Sequence, residues 1–212
     1  METKRRPGRP PKLKDEHLET REALIRCGTA VLTEKGFSAT GIDEVLKKVG
    51  VPKGSFYHYF ENKEAFGRAV IEAYAAYFAR RLERCFLDQS RPPLARLQAF
   101  VEDACGGMAR FRFRRGCLIG NLGQEMSVLP EAYRAQLEAV FQDWQARLAL
   151  CLDEAKARGE LADHADSRAL AAFFWIGWEG AVLRARLTRS DAPLRCFASG
   201  FLAGLPGAPM DR

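Results

Sequence analysis

Cys117 directly follows Arg114-Arg115-Gly116 and should stand at the start of a helix. Nearby cations and a helix N-terminus both stabilise a thiolate and lower a cysteine pKa. A thiolate attacks electrophiles and oxidants, so covalent chemistry is one reading of this position. A buried small hydrophobe is the other, and from the residue alone both stand. Cys27, Cys85, Cys105, Cys151 and Cys196 fall in helical apolar patterns and read as inert packing. There is no CxxC pair and no finger-like Cys/His spacing, which speaks against a zinc site or a redox pair. His17, His58 and His164 are too scattered to form one site, and no Ser-His-Asp set or glycine-rich phosphate loop occurs. The pattern argues against an enzyme and implies no metal and no cofactor.

A second stretch carries a different chemistry. In Gly41–Phe60, Ile42, Val45, Leu46 and Val49 recur at helical spacing. Gly50 ends that helix, and Pro52 suits the first turn of the next. Phe56 and Tyr59 or Phe60 point inward in this reading, leaving Lys53, Gly54, Ser55, Tyr57 and His58 for a partner. Two helices around a tight glycine turn, the second basic and aromatic outside, predict a helix-turn-helix whose second helix enters the DNA major groove.

The elements that must position these groups are helices. The 212 residues are 47% hydrophobic and 28% charged, as in a soluble globular protein. Most of the net charge of +6 sits on residues 1–14, where Lys4, Arg5, Arg6, Arg9, Lys12 and Lys14 face only Glu2. Such an arm is drawn to phosphate, and Arg-Pro-Gly-Arg-Pro suits a minor groove. No signal peptide or membrane span is expected, which predicts a cytoplasmic protein with reduced thiols. Helices are predicted at about 15–35, 42–49, 52–60, 62–87, 93–113, 118–127, 130–158, 167–188 and 193–205. Gly106-Gly107 is expected to kink the fifth. The helix from Ser167 to Thr188 is apolar on more than one face, too much for one core, which predicts a dimer surface. Gly177, Gly180 and Ala181 would allow close approach.

Gly36-Phe37, Thr40, Gly50-Val51, Lys53-Gly-Ser-Phe-Tyr-His-Tyr-Phe60 and Lys63-Glu64 resemble the DNA-binding segment of the TetR family of bacterial repressors. Arg115-Gly-Cys-Leu-Ile-Gly-Asn-Leu-Gly-Gln-Glu-Met126 and Phe174-Trp-Ile-Gly-Trp-Glu-Gly-Ala181 resemble an electrophile-sensing branch of it. That branch includes N-ethylmaleimide-responsive repressors and acrylate-responsive repressors of dimethylsulfoniopropionate breakdown. The similarity runs from Arg21 to Leu187.

The resemblance implies an all-α fold: a basic arm over 1–14, a three-helix helix-turn-helix domain over 15–63, and a helical effector-binding and dimerisation domain over 64–212. It implies three partners: double-stranded operator DNA, a small-molecule effector and a second copy of the chain. Thr40 would cap the second helix and touch phosphate, Lys63 would touch phosphate, and Lys53, Gly54, Ser55, Tyr57 and His58 would lie along the groove. Cys117 becomes the sensing thiol, with Asn121 one turn further on the same face. Trp144, Trp175 and Trp178 would wall a pocket or fill the core. Glu179 requires a partner if buried: an indole N–H, an arginine or the ligand. Arg110 and Arg114 would hold a carboxylate such as that of acrylate. Phe174, Gly177, Ala181, Arg184, Phe197 and Phe201 would form the dimer interface. A non-covalent aromatic-lined pocket is the alternative, and an architectural DNA binder without effector is a further one.

Overall fold

A computed structural model of the chain describes residues 14–207, all helix and connecting turns. The order is α1 (Lys14–Lys35), α2 (Ile42–Val49), a short 3-10 helix (Lys53–His58), α3 (Lys63–Phe86), α4 (Pro93–Arg110), α5 (Leu118–Gln124), α6 (Ala132–Ala157), α7 (Ser167–Thr188) and α8 (Ala192–Ala203). Among the described residues no helix is long and apolar enough to cross a membrane. The basic arm, with Arg5, Arg6 and Arg9, lies outside the described residues.

Local signals explain most boundaries. Gly50 takes a left-handed conformation at φ 74° and closes α2, its N–H bonding the carbonyls of the last turn. Asn62 Oδ1 accepts the Ala65 N–H at 2.8 Å and starts α3. Asp166 Oδ1 accepts from Arg168 and Ala169 at the start of α7.

Three expectations need correction. The segment expected to enter the groove is a 3-10 helix, not an α-helix: Pro52 and Tyr59 bracket only six residues, closed by Ser55 N–H to Pro52 O and Tyr59 N–H to Phe56 O. The helix expected to reach Phe113 ends at Arg110, because Arg112 and Phe113 take left-handed conformations; Gly106 and Gly107 lie within it. Thr40 does not cap α2, because Gly41 is the N-cap and the Thr40 hydroxyl donates to Gly36 O at 2.6 Å.

α1, α2 and the 3-10 helix form the head. Leu24, Leu32, Val45, Leu46, Phe56 and Phe60 close its core. α3 leaves that head through Phe66 and Val70 and enters the larger bundle through Tyr74, Phe78 and Leu82. It packs on α1, α4 and α6, while α7 lies between α6 and α8. The bundle centre is aromatic: Phe78 meets Trp144 at 4.4 Å between ring centroids, Trp144 meets Trp175 at 5.0 Å, and Phe100 meets Trp178 at 5.3 Å.

The joint between head and bundle is tightest at Gly67. A methyl group there would run into the Tyr133 hydroxyl and the Phe37 ring. That hydroxyl also donates to Glu64 O at 2.8 Å, so it cannot retreat freely. Gly67→Ala should therefore cost about 2 kcal/mol through overpacking. Thermal unfolding should show a midpoint lower by about 5 °C.

Candidate functional site

The exposed face of the 3-10 helix carries Lys53, Gly54, Tyr57 and His58, with Tyr57 65% exposed. Phe56 beneath it is buried and meets the Tyr57 ring edge-on at 5.5 Å. Lys53 Nζ pairs with Asp43 at 2.9 Å, and both side chains are open to solvent. Nothing approaches the open side of Gly54. Ser55 is half-buried on the same segment. Thr40 is buried, with its hydroxyl donating to Gly36 O, and is not part of this exposed face. Lys63 is drawn inward too. Its ammonium donates to Phe37 O at 2.9 Å and lies 4.4 Å from the centre of that ring, and burial lowers its pKa.

Behind the head lies a cavity of about 830 Å³. α1 contributes Thr29, Ala30 and Thr33; α3 contributes Tyr74, Phe78 and Arg81; α4 contributes Met108 and Arg110. The α4–α5 turn supplies Arg115, Gly116 and Cys117, and α7 supplies Trp178, Glu179 and Val182. The turn holds two successive non-glycine residues in left-handed conformations, Arg112 at φ 52° and Phe113 at φ 56°. Such pairs cost energy and commonly mark functional loops.

Cys117 is the N-cap of α5, where its sulfur accepts the Gly120 N–H at 3.4 Å. The expected cations are elsewhere. Arg115 pairs with Glu34 of α1 at 2.8 Å and lies over the Phe111 ring at 4.0 Å. Arg114 is exposed and does not line the cavity. Burial instead pushes the Cys117 thiol well above its ordinary value, and the Glu179 carboxyl beside it pushes the same way. The thiol is thus protonated, which corrects the expectation of a lowered pKa. Glu179 faces this thiol rather than an indole or an arginine, and burial raises its pKa to about 7. Its Oε1 has no hydrogen-bond partner, and a side chain at Gly120 would collide with its Oε2.

Other sequence-derived candidates separate. Trp178 lines the cavity, but Trp144 and Trp175 are sealed in the aromatic core with unpartnered indole N–H groups. Asn121 is turned from the cavity. Its Nδ2 donates to Thr33 O at 2.8 Å, and its Oδ1 accepts from Arg186 at 2.9 Å. Arg186 also donates to Glu34 O, and the Glu125 carboxylate accepts the Phe37 and Ser38 N–H groups at 2.9 and 2.8 Å. Sequence reasoning missed this clamp on the end of α1, as it missed Thr33, Tyr74 and Arg81 in the cavity wall. Glu125 lay inside the quoted motif, but its partners are over eighty residues away in sequence.

Most of the residues expected at the interface are packed within their own chain. Phe174, Ala181 and Phe201 are buried within their own subunit, and Gly177 is filled by the Phe197 ring of the same chain. Arg184 is exposed. The apolar residues that α7 leaves open are Phe173, Ile176, Leu183 and Leu187, 39–73% exposed and spaced along one stripe with Gly180. Beside them α8 exposes the small residues Ala192, Cys196, Ser199, Gly200 and Ala203.

Comparison with known proteins agrees with this architecture. The family described as "Tetracyclin repressor-like, C-terminal domain" matches residues 93–201, and "Bacterial regulatory proteins, tetR family" matches residues 24–70. The chain is 56% identical to the transcriptional regulator AcuR of Cereibacter sphaeroides over 198 residues, 93% of this chain and 90% of that protein. It is 32% identical to the HTH-type transcriptional repressor NemR of Escherichia coli, over 83% of this chain and 88% of that one. A solved regulatory protein TetR from Rhodobacter sphaeroides superposes with a TM-score of 0.86 at 55% identity, covering 88% of this chain and 98% of its own. The reduced form of E. coli NemR gives 0.80 at 29% identity, covering 91% and 100%. These relatives are transcriptional regulators rather than enzymes. With its helix-turn-helix head and helical second part both matched, the chain belongs to the TetR family of bacterial transcriptional repressors.

Proposed function

We propose that this repressor leaves its operator when a small electrophile, of the acrylate type that the sequence resemblance implies, reaches Cys117. One observation carries the reading: Cys117 lies in the wall of the 830 Å³ cavity that runs from α1 of the head to α7 of the bundle. Cys85, by contrast, also borders the cavity but sits on an uninterrupted helix. Arg110, exposed on the cavity lining, is placed to meet an incoming carboxylate.

In this reading residues 15–63 read DNA, and residues 64–212 bind effector and dimerise. Lys53, Gly54, Tyr57 and His58 face the major groove, and the arm residues Arg5, Arg6 and Arg9 reach the minor groove. Two copies pair through the exposed α7 stripe and the small-residue face of α8. Each large apolar side chain covered there contributes about 1.5–3 kcal/mol. Gly180 and the small α8 residues permit close contact between helices. Pairing places two reading heads on two half-sites.

Release requires that effector bind the DNA-free arrangement better than the DNA-bound one. An adduct on Cys117 occupies space between α5 and α7. It displaces the start of α5, and Asn121 and Glu125 carry that displacement to the end of α1. The raised pKa of Cys117 favours a second reading, in which effector binds without a covalent bond.

Cys117→Ser separates the two. Operator binding in a gel shift should be unchanged, while the acrylate concentration that releases half the complex should rise about tenfold or more. Equal release of variant and wild type assigns the effector to the non-covalent reading. Ile176→Glu tests the dimer. Sedimentation should show monomer, and operator affinity should fall by about a hundredfold as the paired half-sites are lost. A dimeric Ile176→Glu protein with full affinity moves the interface off α7.

A further inference from the structure

The cavity presents a chemical problem: a sensing thiol that burial keeps protonated is a poor nucleophile. A neighbouring group offers the remedy. The carboxyl of Glu179, one of the cavity-lining residues of α7, faces the Cys117 sulfur across the start of α5. It leans on the backbone at Gly120, where only hydrogen leaves it room. Its Oε1 is sealed from solvent yet bonded to nothing. No cation is paired with it among the described residues: Arg81 is taken by Asp103, and Arg115 by Glu34.

Resting on the electrophile-sensing reading above, we propose that Glu179 is the general base that takes the Cys117 thiol proton during addition to an α,β-unsaturated carbonyl compound. In the step, the S–H bond breaks and its proton passes to the Glu179 carboxylate. The sulfur electron pair forms a C–S bond at the β-carbon. The C=C pair shifts to the α-carbon, which then receives the proton from Glu179. The products are a thioether and the original carboxylate, with no change in oxidation state. Positioning a base beside a thiol is how weak nucleophiles are activated elsewhere.

The pH dependence follows with a definite sign. Glu179 serves only when ionised, and its pKa is raised to about 7, so the assisted rate climbs through neutrality and then levels. Unassisted attack depends on free thiolate and would keep climbing well past pH 9, because burial holds the thiol pKa well above 9. The groups facing Glu179 are Cys117 from the start of α5 and Tyr74 from α3, whose hydroxyl burial keeps protonated. Arg26 of α1, Arg84 of α3 and Arg110 of α4 also line the cavity, as do the paired Arg81–Asp103 and Arg115. None of these joins burial and the thiol among the causes of the Glu179 shift.

The experiment is the rate of acrylamide addition to Cys117 in the full chain, followed by peptide mass from pH 6 to 9.5. Acrylamide is uncharged, so its own form does not vary, and N-acetylcysteine reports the behaviour of a plain thiol. Wild type should level above about pH 8, with a break near 7. Glu179→Gln should react about a hundredfold more slowly at pH 7.5 and climb without levelling. Glu179→Asp should be slower than wild type yet keep the break, and gel shifts should show operator binding by both variants. A wild-type rate that rises through pH 9 without a break overturns the proposal. So does a Glu179→Gln profile that overlays wild type, or a Glu179→Asp profile without the break. If Cys117 stays unmodified at every pH, the electrophile-sensing reading fails first and takes the proposal with it.

Discussion

The structure depends on how α1 ends. A helix that stops inside a protein leaves its last carbonyls and the following amides without partners. Here they are met from the other half of the molecule: Thr33 O by Asn121, Glu34 O by Arg186, and the Phe37 and Ser38 amides by Glu125. Each such group left unmet in a buried setting costs about 1–3 kcal/mol. The head is therefore not a loosely tethered module. Its last turn is registered on α5 and α7, and α5 begins at Cys117. One helical turn separates the thiol from the first of the clamping side chains, so the cavity wall and the end of α1 are joined through α5.

Much of this is legible in the sequence. Helix boundaries followed from Gly50, Asn62, Asp166 and the prolines, because caps act locally and need no knowledge of the partner helix. The inward faces of α3 and α6 followed from 3.6-residue spacing. Side-chain destinations were less legible, because they depend on contacts between distant segments. Arg115 next to Cys117 reads as an activating cation, yet a carboxylate 81 positions earlier claims it. Asn121 shares a face with Cys117 by spacing but turns toward Thr33. On α7, pattern alone could not divide Phe173 from Phe174 or Ile176 from Trp175. All four are apolar neighbours, and only the packing of α6 and α8 decides which are covered. The 3-10 geometry after Pro52 was likewise hidden, since a six-residue run has too little length to fix its period.

The electrostatics of the two halves differ in kind. On the head, Lys53, Tyr57 and His58 are exposed to water, where charge is well screened. The cavity wall carries five arginines and two carboxylates: Arg81 pairs with Asp103, and Arg115 reaches Glu34 outside the wall. Glu179 alone among the cavity carboxylates lacks a cation, and isolation in a desolvated wall brings its proton affinity to the physiological range. A group that is half-ionised at neutral pH can both accept and return a proton without a large energetic step.

Gly120 and Glu179 occupy one volume between them, since no β-carbon can be added to the first while the second keeps its present rotamer. The constraint runs one way: alanine on α5 requires the acid on α7 to move, shorten or be lost, whereas the acid can be lost with glycine left in place. Along a lineage built on this plan, loss of the α7 acid should therefore come before, or together with, loss of the α5 glycine.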